Sequence, residues 1–166
     1  MNDAAVVVAL GSNLKGRFSS VGALLDAAVA AISAAGLGVA KRSSWWRSAS
    51  WPDAGQPDYL NGVILVETML DPHATLGVLR EIEARFGRLG GVANAPRTLD
   101  LDLIAHGRTV LSDEALTLPH PRGAERLFVM GPLAEIAPGW VHPVLGLRAE
   151  ALAARAVVGL DASPVA

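Results

Sequence analysis

The feature that most limits how this chain can fold is a short run in which leucine and aspartate alternate. Leu99, Leu101 and Leu103 are separated by Asp100 and Asp102. Because successive side chains of a strand point to opposite faces, the run predicts a strand with one apolar face and one face that carries two carboxylates. Neighbouring carboxylates repel unless a cation lies between them, and Mg²⁺ takes such oxygen ligands together with water and substrate phosphates.

Basic residues surround this carboxylate pair in the sequence. Arg97 precedes it, and His120, Arg122 and Arg126 follow it. Guanidinium groups stay charged and bind phosphate oxygens through two parallel hydrogen bonds. A polyphosphate substrate is therefore predicted, and the alternative is a pair of solvated charges on an exposed strand.

Composition limits the class of protein. The chain has 166 residues, is 51% hydrophobic and contains no cysteine. It can therefore bury a full core as one domain over residues 1–166, and neither disulfides nor thiolate chemistry is available. A net charge of −2 supplies no general attraction to nucleic acid, so no nucleic-acid partner is predicted. The apolar run 4–10 is too short to cross a membrane, and we expect a cytoplasmic monomer.

Hydrophobic periodicity predicts strands over residues 5–10, 38–48, 60–68 and around the aspartate pair, and helices over 21–36, 72–87, 126–136 and 147–157. A hairpin is predicted at Gly107, and Gly131-Pro132 is predicted to kink or restart the helix over 126–136. The order strand, helix, strand, strand, helix, strand is typical of an α+β ferredoxin-like sandwich. We expect a mainly antiparallel sheet with helices on one face and a ligand cleft on the other.

Five motifs identify a family resemblance over residues 6–138. They are Gly11-Ser12-Asn13, Gln56-Pro57-Asp58-Tyr59-Leu60-Asn61, Pro96-Arg97-Thr98-Leu99-Asp100-Leu101-Asp102, Leu118-Pro119-His120-Pro121-Arg122, and Arg126-x-Phe128. In this order and spacing they resemble the 6-hydroxymethyl-7,8-dihydropterin pyrophosphokinases. The resemblance implies a folate-biosynthetic enzyme that moves pyrophosphate from ATP to the pterin hydroxymethyl oxygen and releases AMP.

The resemblance also implies roles for individual residues. Asp100 and Asp102 would hold two Mg²⁺ ions. Contacts to ATP would come from six further residues: Arg88, Arg97, Leu103, Thr117, His120 and Arg126. Of these, Arg88, Arg97 and Arg126 would be catalytic together with the two aspartates. A family pyrophosphokinase needs little covalent chemistry from the protein, because phosphoryl-type transfer depends on positioning and charge neutralisation. His120 lies between two prolines, and serving only to hydrogen-bond the turn is its alternative role.

The pterin side of the site is implied in the same way. Tyr59 and Phe128 match the family's stacking pair and Asn61 matches its amide, while the loop contacts correspond to Ser48, Ala49 and Trp51. A flat heterocycle rich in hydrogen-bonding groups suits aromatic stacking combined with a side-chain amide. Core packing is the alternative role of Tyr59 and Phe128.

Two segments depart from the family pattern. Residues 89–95 are uncharged and contain Gly90 and Gly91, where the family commonly has basic residues and Trp-Gly. The substitution puts closure of the site in doubt, and Arg122 is a candidate replacement for the missing charge. Ala49-Ser50 stands where prolines are common, which predicts a more flexible pterin loop.

Other classes of protein fit less well. Gly11 to Gly16 has the glycines of a P-loop, but Arg17-Phe18 replaces the required Lys and Ser/Thr. Neighbouring carboxylates on one strand cannot flank a glycosidic bond, and the central strands lack the aromatics of an RNA-binding sheet. A non-catalytic pterin- or nucleotide-binding relative remains the main alternative, although both aspartates are retained.

Overall fold

The structure is a computed structural model that describes residues 4–49, 57–89 and 98–165. In chain order its elements are β1 Val6–Ser12, α1 Val21–Ala34, β2 Gly38–Arg42, β3 Trp46–Ser48, β4 Tyr59–Glu67, α2 Pro72–Leu89, β5 Asp100–His106, β6 Leu111–Ser112, β7 Thr117–Leu118, a 3₁₀ turn Gly123–Glu125, α3 Leu127–Ile136, α4 Ala149–Arg155 and β8 Ser163–Pro164. None of the described helices has the length and hydropathy needed to cross a membrane.

The main sheet runs in the order β5-β1-β4-β3-β8, and β2 also pairs with β4. The pairs described are antiparallel. Strand β1 is buried along its whole length, as its continuous apolar sequence predicts for a central strand. Strands β6 and β7 form a separate two-stranded ribbon.

Helices α1 and α2 cover one face of the sheet. Ser20 caps α1 by accepting a hydrogen bond from the backbone N–H of Ala23 at 3.0 Å. Asp71 does the same for α2 through the N–H of Ala74. The apolar core on this face includes Leu10, Leu25, Ile32, Ile64, Leu79, Ile82, Leu101 and Leu103.

Helices α3 and α4 cover the opposite face, so the expectation of helices on one face only is wrong. The second core combines β1, β4 and β5 residues with side chains of α3 and α4, including Val7, Val63, Ile104, Met130, Leu133, Trp140 and Leu152. The reason is that central strands apolar on both faces require cover on both. The ligand cleft that was expected on an open face of the sheet is therefore confined to the part of this face that α3 and α4 leave uncovered.

Several boundaries also differ from prediction. The predicted strand 38–48 is divided into β2 and β3, since Ser43 turns inward and its Oγ accepts from the N–H of Val63 at 3.0 Å. Helix α2 passes through Gly87 and ends at Leu89. Gly107 does turn the chain, with φ of 58°, but β6 then pairs with β7 and no hairpin with β5 forms.

Pro132 lies inside α3, which neither breaks nor restarts there. The helix is held by its packing, since Met130, Gly131 and Leu133 are buried around the proline. A Cβ on Gly131 would lie 2.6 Å from the Trp46 ring, so only glycine allows α3 to approach β3 this closely.

Candidate active site

The aspartate pair lies on the face of the sheet that α3 and α4 partly cover. Leu99, Leu101 and Leu103 are buried on the other face, as the alternation predicts. The β1–β5 register shifts between Val7 and Val8, and beyond that irregularity Asp102 is opposite Ala9 and Asp100 is opposite Gly11. Both aspartates are half-buried. A β-bulge next to the pair sets which face the carboxylates occupy.

A row of residues crosses the sheet from the aspartates to a buried amide. Gly11 is paired with Asp100 on one side and with Asn61 on the other, and Asn61 is paired with Trp46. Residues at the same register present their side chains on one face of the sheet, so Asp100, Asn61 and Trp46 share a face. The structure therefore brings the predicted metal ligand and the predicted pterin amide into one row, two strands apart.

Gly11 leaves the space that the amide occupies. A Cβ at Gly11 would lie 2.6 Å from Nδ2 of Asn61. Asn61 is only 8% exposed, and its Oδ1 accepts a hydrogen bond from Oγ of Ser48 at 3.2 Å. Tyr59 lies opposite Ser48 in the pairing of β3 with β4. A buried amide held by a neighbouring hydroxyl is a fixed recognition group, because its remaining donors keep a defined direction.

Arg126 and Phe128 belong to the start of α3 on this face. Arg126 is the N-cap residue, and its guanidinium carbon lies 5.7 Å from the centroid of the Phe128 ring. Both side chains are half-buried. The cation–π contact keeps a positive charge beside an aromatic face.

A polar cavity of about 230 Å³ adjoins the aspartate pair. Four residues predicted to bind ATP or metal line it: Asp102, Leu103, Thr117 and His120. Its remaining wall comes from α2 and the segment before β7, including Leu76, Arg80, Asp113 and Leu116. The described part of the chain has no group of three or more His, Asp or Glu suited to a metal. Any metal here would need ligands from water and substrate.

His120 is held in one tautomer. Its backbone N–H donates to the carbonyl of Ile104 at 2.8 Å, and its Nδ1 accepts from the N–H of Arg122 at 3.1 Å. Burial lowers the pKa of His120 most, Asp102 acts in the opposite direction, and Arg126, Arg122 and Arg80 lower it further. The neutral ring therefore carries its proton on Nε2, which makes that nitrogen a donor.

A buried glutamate that sequence reasoning missed supports the aspartate strand. Oε2 of Glu83 accepts from the backbone N–H of Leu101 at 2.7 Å, and its Oε1 accepts from Nη1 of Arg80 at 2.6 Å. Arg80 also donates to the carbonyl of Leu101 at 3.0 Å. The sequence signal for this role was the position of Glu83 beside Leu79 and Ile82 in the apolar stripe of the helix. A buried carboxylate is costly unless it is paired, so a glutamate at such a position indicates a bonding partner.

Some predicted site residues cannot be placed. Trp51 and Arg97 lie outside the described residues, as does most of the unusual 89–95 segment. Arg88 belongs to α2, but its side chain is not described. Ala49 follows β3 directly, and its backbone N–H donates to Oδ2 of Asp161 at 2.7 Å.

A larger cavity of about 890 Å³ lies elsewhere. Its lining includes Ser20, Val21, Arg42, Trp45, Arg47 and Leu60, and none of the predicted site residues that the structure describes. Trp45 and Leu60 pack with the core under α1 and α2, so this cavity opens on the face opposite Asn61. Size is a poor guide here, since convergent polar groups mark a site more specifically than volume.

Residues 7–138 match the family model of 7,8-dihydro-6-hydroxymethylpterin-pyrophosphokinase. The chain belongs to that family and is an enzyme of the pyrophosphokinase class.

The relatives that carry the name 2-amino-4-hydroxy-6-hydroxymethyldihydropteridine pyrophosphokinase include proteins of Synechocystis and Methylorubrum extorquens. The Synechocystis protein is 44% identical over 144 residues, which are 84% of this chain and 70% of the relative. The Methylorubrum extorquens protein is 41% identical over 133 residues, 80% of this chain and 82% of the relative. These alignments extend well beyond the five motifs.

The fold is also found in a solved structure. The crystal structure of wild-type Plasmodium falciparum HPPK-DHPS superposes with a TM-score of 0.69 at 13% identity. The match covers 91% of this chain but only 44% of that longer one. At this identity the likeness shows a shared fold only.

Proposed function

We propose that this enzyme transfers pyrophosphate from ATP to 6-hydroxymethyl-7,8-dihydropterin with Mg²⁺ bound, as a step of folate biosynthesis. The pterin hydroxymethyl oxygen attacks the β-phosphorus, the bond between that phosphorus and the oxygen bridging to the α-phosphate breaks, and AMP leaves. The hydroxyl proton is released and the products are AMP and the pterin diphosphate.

The row Asp100, Gly11, Asn61 is the observation that carries this proposal. Neighbouring strands are about 4.8 Å apart, so the carboxylate and the amide are anchored roughly 10 Å from each other. A bicyclic ring bound at Asn61 can direct a one-carbon arm toward the aspartates. One sheet face therefore directs the acceptor arm toward the aspartates, which supplies part of the orientation on which such transfers depend.

We assign ATP to the cavity beside Asp102. Nε2 of His120 donates to a phosphate oxygen, and Arg126, Arg97 and Arg88 neutralise charge on the triphosphate. Leu103 and Thr117 contribute to the wall against the nucleotide. Mg²⁺ on Asp100 and Asp102, as two ions, would polarise the phosphates and the acceptor hydroxyl. Among the described residues no group of three or more His, Asp or Glu side chains suited to a metal occurs, and two carboxylates suit an ion completed by substrate and water.

We assign the pterin to the amide end of the row. Asn61 reads the ring edge, Tyr59 and Phe128 stack on its faces, and Ser48 and Ala49 at the end of β3 supply further contacts, with Trp51 as a further contact residue. Ser48 supports Asn61 directly through their hydrogen bond.

We also propose a single domain over residues 1–166 with ferredoxin-like topology, because both cores share one sheet in the order β5-β1-β4-β2.

The decisive assay measures adenine nucleotide products. We expect AMP to form from ATP only when both 6-hydroxymethyl-7,8-dihydropterin and Mg²⁺ are present, with one pterin diphosphate per AMP. Release of ADP would instead indicate transfer of a single phosphoryl group. Binding of both ligands without turnover would favour the non-catalytic relative.

Gly11→Ala is expected to weaken pterin binding about tenfold and to leave the affinity for a non-hydrolysable ATP analogue within twofold. The new Cβ would displace the Asn61 amide, which loses a hydrogen bond to the ligand. Asn61→Ala should show the same selective loss. Isothermal titration calorimetry with each ligand measures both affinities.

Gly38→Ala is the matched control. Gly38 is also a strand glycine, but its Cβ would meet nothing closer than 3.6 Å. It should leave both affinities unchanged. Equal losses of both ligands in Gly11→Ala would mean that the row supports the fold and does not recognise the pterin.

A further inference from the structure

The segment 157–165 follows α4 and lies outside the family match, which ends at residue 138. At its start the N–H groups of Val157 and Val158 both donate to the carbonyl of Glu125 at 3.0 Å. The carbonyl of Val158 accepts from the N–H of Leu127 at 2.9 Å. These bonds lie on either side of Arg126, at the beginning of α3.

The same segment is bound to β3 at its other end. β8 pairs with β3 antiparallel, with Arg47 opposite Ser163, and the N–H of Val165 donates to the carbonyl of Trp45 at 2.8 Å. Between these two attachments Asp161 accepts from the N–H of Ala49 through Oδ2. The segment therefore joins the start of α3 to the end of β3.

Gly159 brings the segment against Phe128. Its φ is 69°, and a Cβ there would lie 2.5 Å from Cδ1 and 2.9 Å from Cε1 of the Phe128 ring. The turn is closed by a hydrogen bond from the N–H of Ala162 to the carbonyl of Gly159 at 3.0 Å. Glycine satisfies both the left-handed backbone and the close approach to the ring.

We propose that segment 157–165 is a brace that positions the pterin-binding walls, with Asp161 holding Ala49 and Gly159 backing Phe128. The inference rests on the proposed function, since it assigns those two walls to the pterin. Ala49 comes after the last residue of β3, so the Asp161 carboxylate supplies an acceptor that strand pairing does not. If the residues that contact the pterin are already ordered in the free protein, less conformational entropy is lost on binding.

The first test removes the carboxylate. Asp161→Ala is expected to weaken pterin binding about fivefold, the loss of one exposed charge-assisted hydrogen bond, and to leave binding of the ATP analogue within twofold. Asp161→Asn should recover part of the loss, because its amide oxygen still accepts. Asp26→Ala is the control, since Asp26 is another exposed aspartate, which accepts from Arg42 at 2.7 Å and from Nε1 of Trp45 at 3.2 Å, and it belongs to α1 on the opposite face.

The second test uses a matched pair of glycines. Gly159→Ala and Gly146→Ala both place a side chain at φ 69°, but nothing lies within 4 Å of a Cβ at Gly146. Both variants should lose unfolding free energy from backbone strain, and Gly159→Ala should lose more because its Cβ also meets the Phe128 ring. Only Gly159→Ala should weaken pterin binding, by about tenfold, because only there is the Phe128 ring displaced.

Amide hydrogen exchange at Ala49, followed by NMR in the free protein, makes the brace testable without substrate. Asp161→Ala should accelerate that exchange about fivefold. Unchanged exchange would overturn the brace contact, and faster exchange with unchanged pterin affinity would overturn its positioning role. Wild-type protein that binds no pterin would overturn the proposed function and the positioning role, while the exchange measurement would still decide the contact.

Discussion

Asp102→Asn is expected to lower kcat at least about a thousandfold, equivalent to roughly 4 kcal/mol of transition-state stabilisation. Asp102 lies at the wall of the polar cavity and shares its sheet face with Asp100. An amide keeps the shape of the carboxylate but removes the charge that an Mg²⁺ ion requires. Steady-state AMP production over a range of Mg²⁺ concentrations measures the loss.

Asp113→Asn is the matched control for this change. Asp113 lines the same cavity, yet its carboxylate accepts from the N–H groups of Ala115 and Leu116 and interacts with His73. An asparagine oxygen can keep the backbone bonds. We expect activity within about threefold of wild type. Near-normal Mg²⁺-dependent turnover of Asp102→Asn would contradict the metal assignment, as would an equal loss in both variants.

Glu83→Ala is expected to lower the free energy of unfolding by about 3 kcal/mol. The change deprives the N–H of Leu101, a fully buried residue, of its acceptor and leaves space beneath β5. Arg80 loses its ion-pair partner but is half exposed, so its own loss is smaller. Urea unfolding monitored by circular dichroism measures the difference.

Glu81→Ala provides the comparison, because Glu81 is exposed on the same helix. It should change the unfolding free energy by less than about 0.5 kcal/mol. Glu83→Gln keeps an oxygen for Leu101 and should fall between the two alanine variants. If Glu83→Ala were as stable as Glu81→Ala, the glutamate would not anchor the aspartate strand.

Short-range sequence patterns predicted where the aspartates of the site lie on the sheet. They did not predict which helices cover that face of the sheet. Alternation identified the buried leucines and the shared face of Asp100 and Asp102, because strand geometry alone fixes that relation. The cover by α3 and α4 was missed. Helix α3 has little amphipathic contrast in its sequence, with Met130, Gly131, Pro132 and Leu133 all buried, so its sequence does not specify which face of the sheet it covers.

The sequence by itself determined the elements whose signals are local. These are the fully buried β1 and the carboxylate face of β5. Such features depend on side-chain period. The motifs in their order likewise determined the family.

Only the tertiary structure decided how distant residues meet. The Asn61 amide above Gly11, Glu83 beneath Leu101 and Gly159 against Phe128 each join separate elements. These contacts depend on strand register, on the bulge between β1 and β5, and on the path of the chain after α4. No local pattern encodes them, because the energy of a close contact depends on the placement of both partners at once.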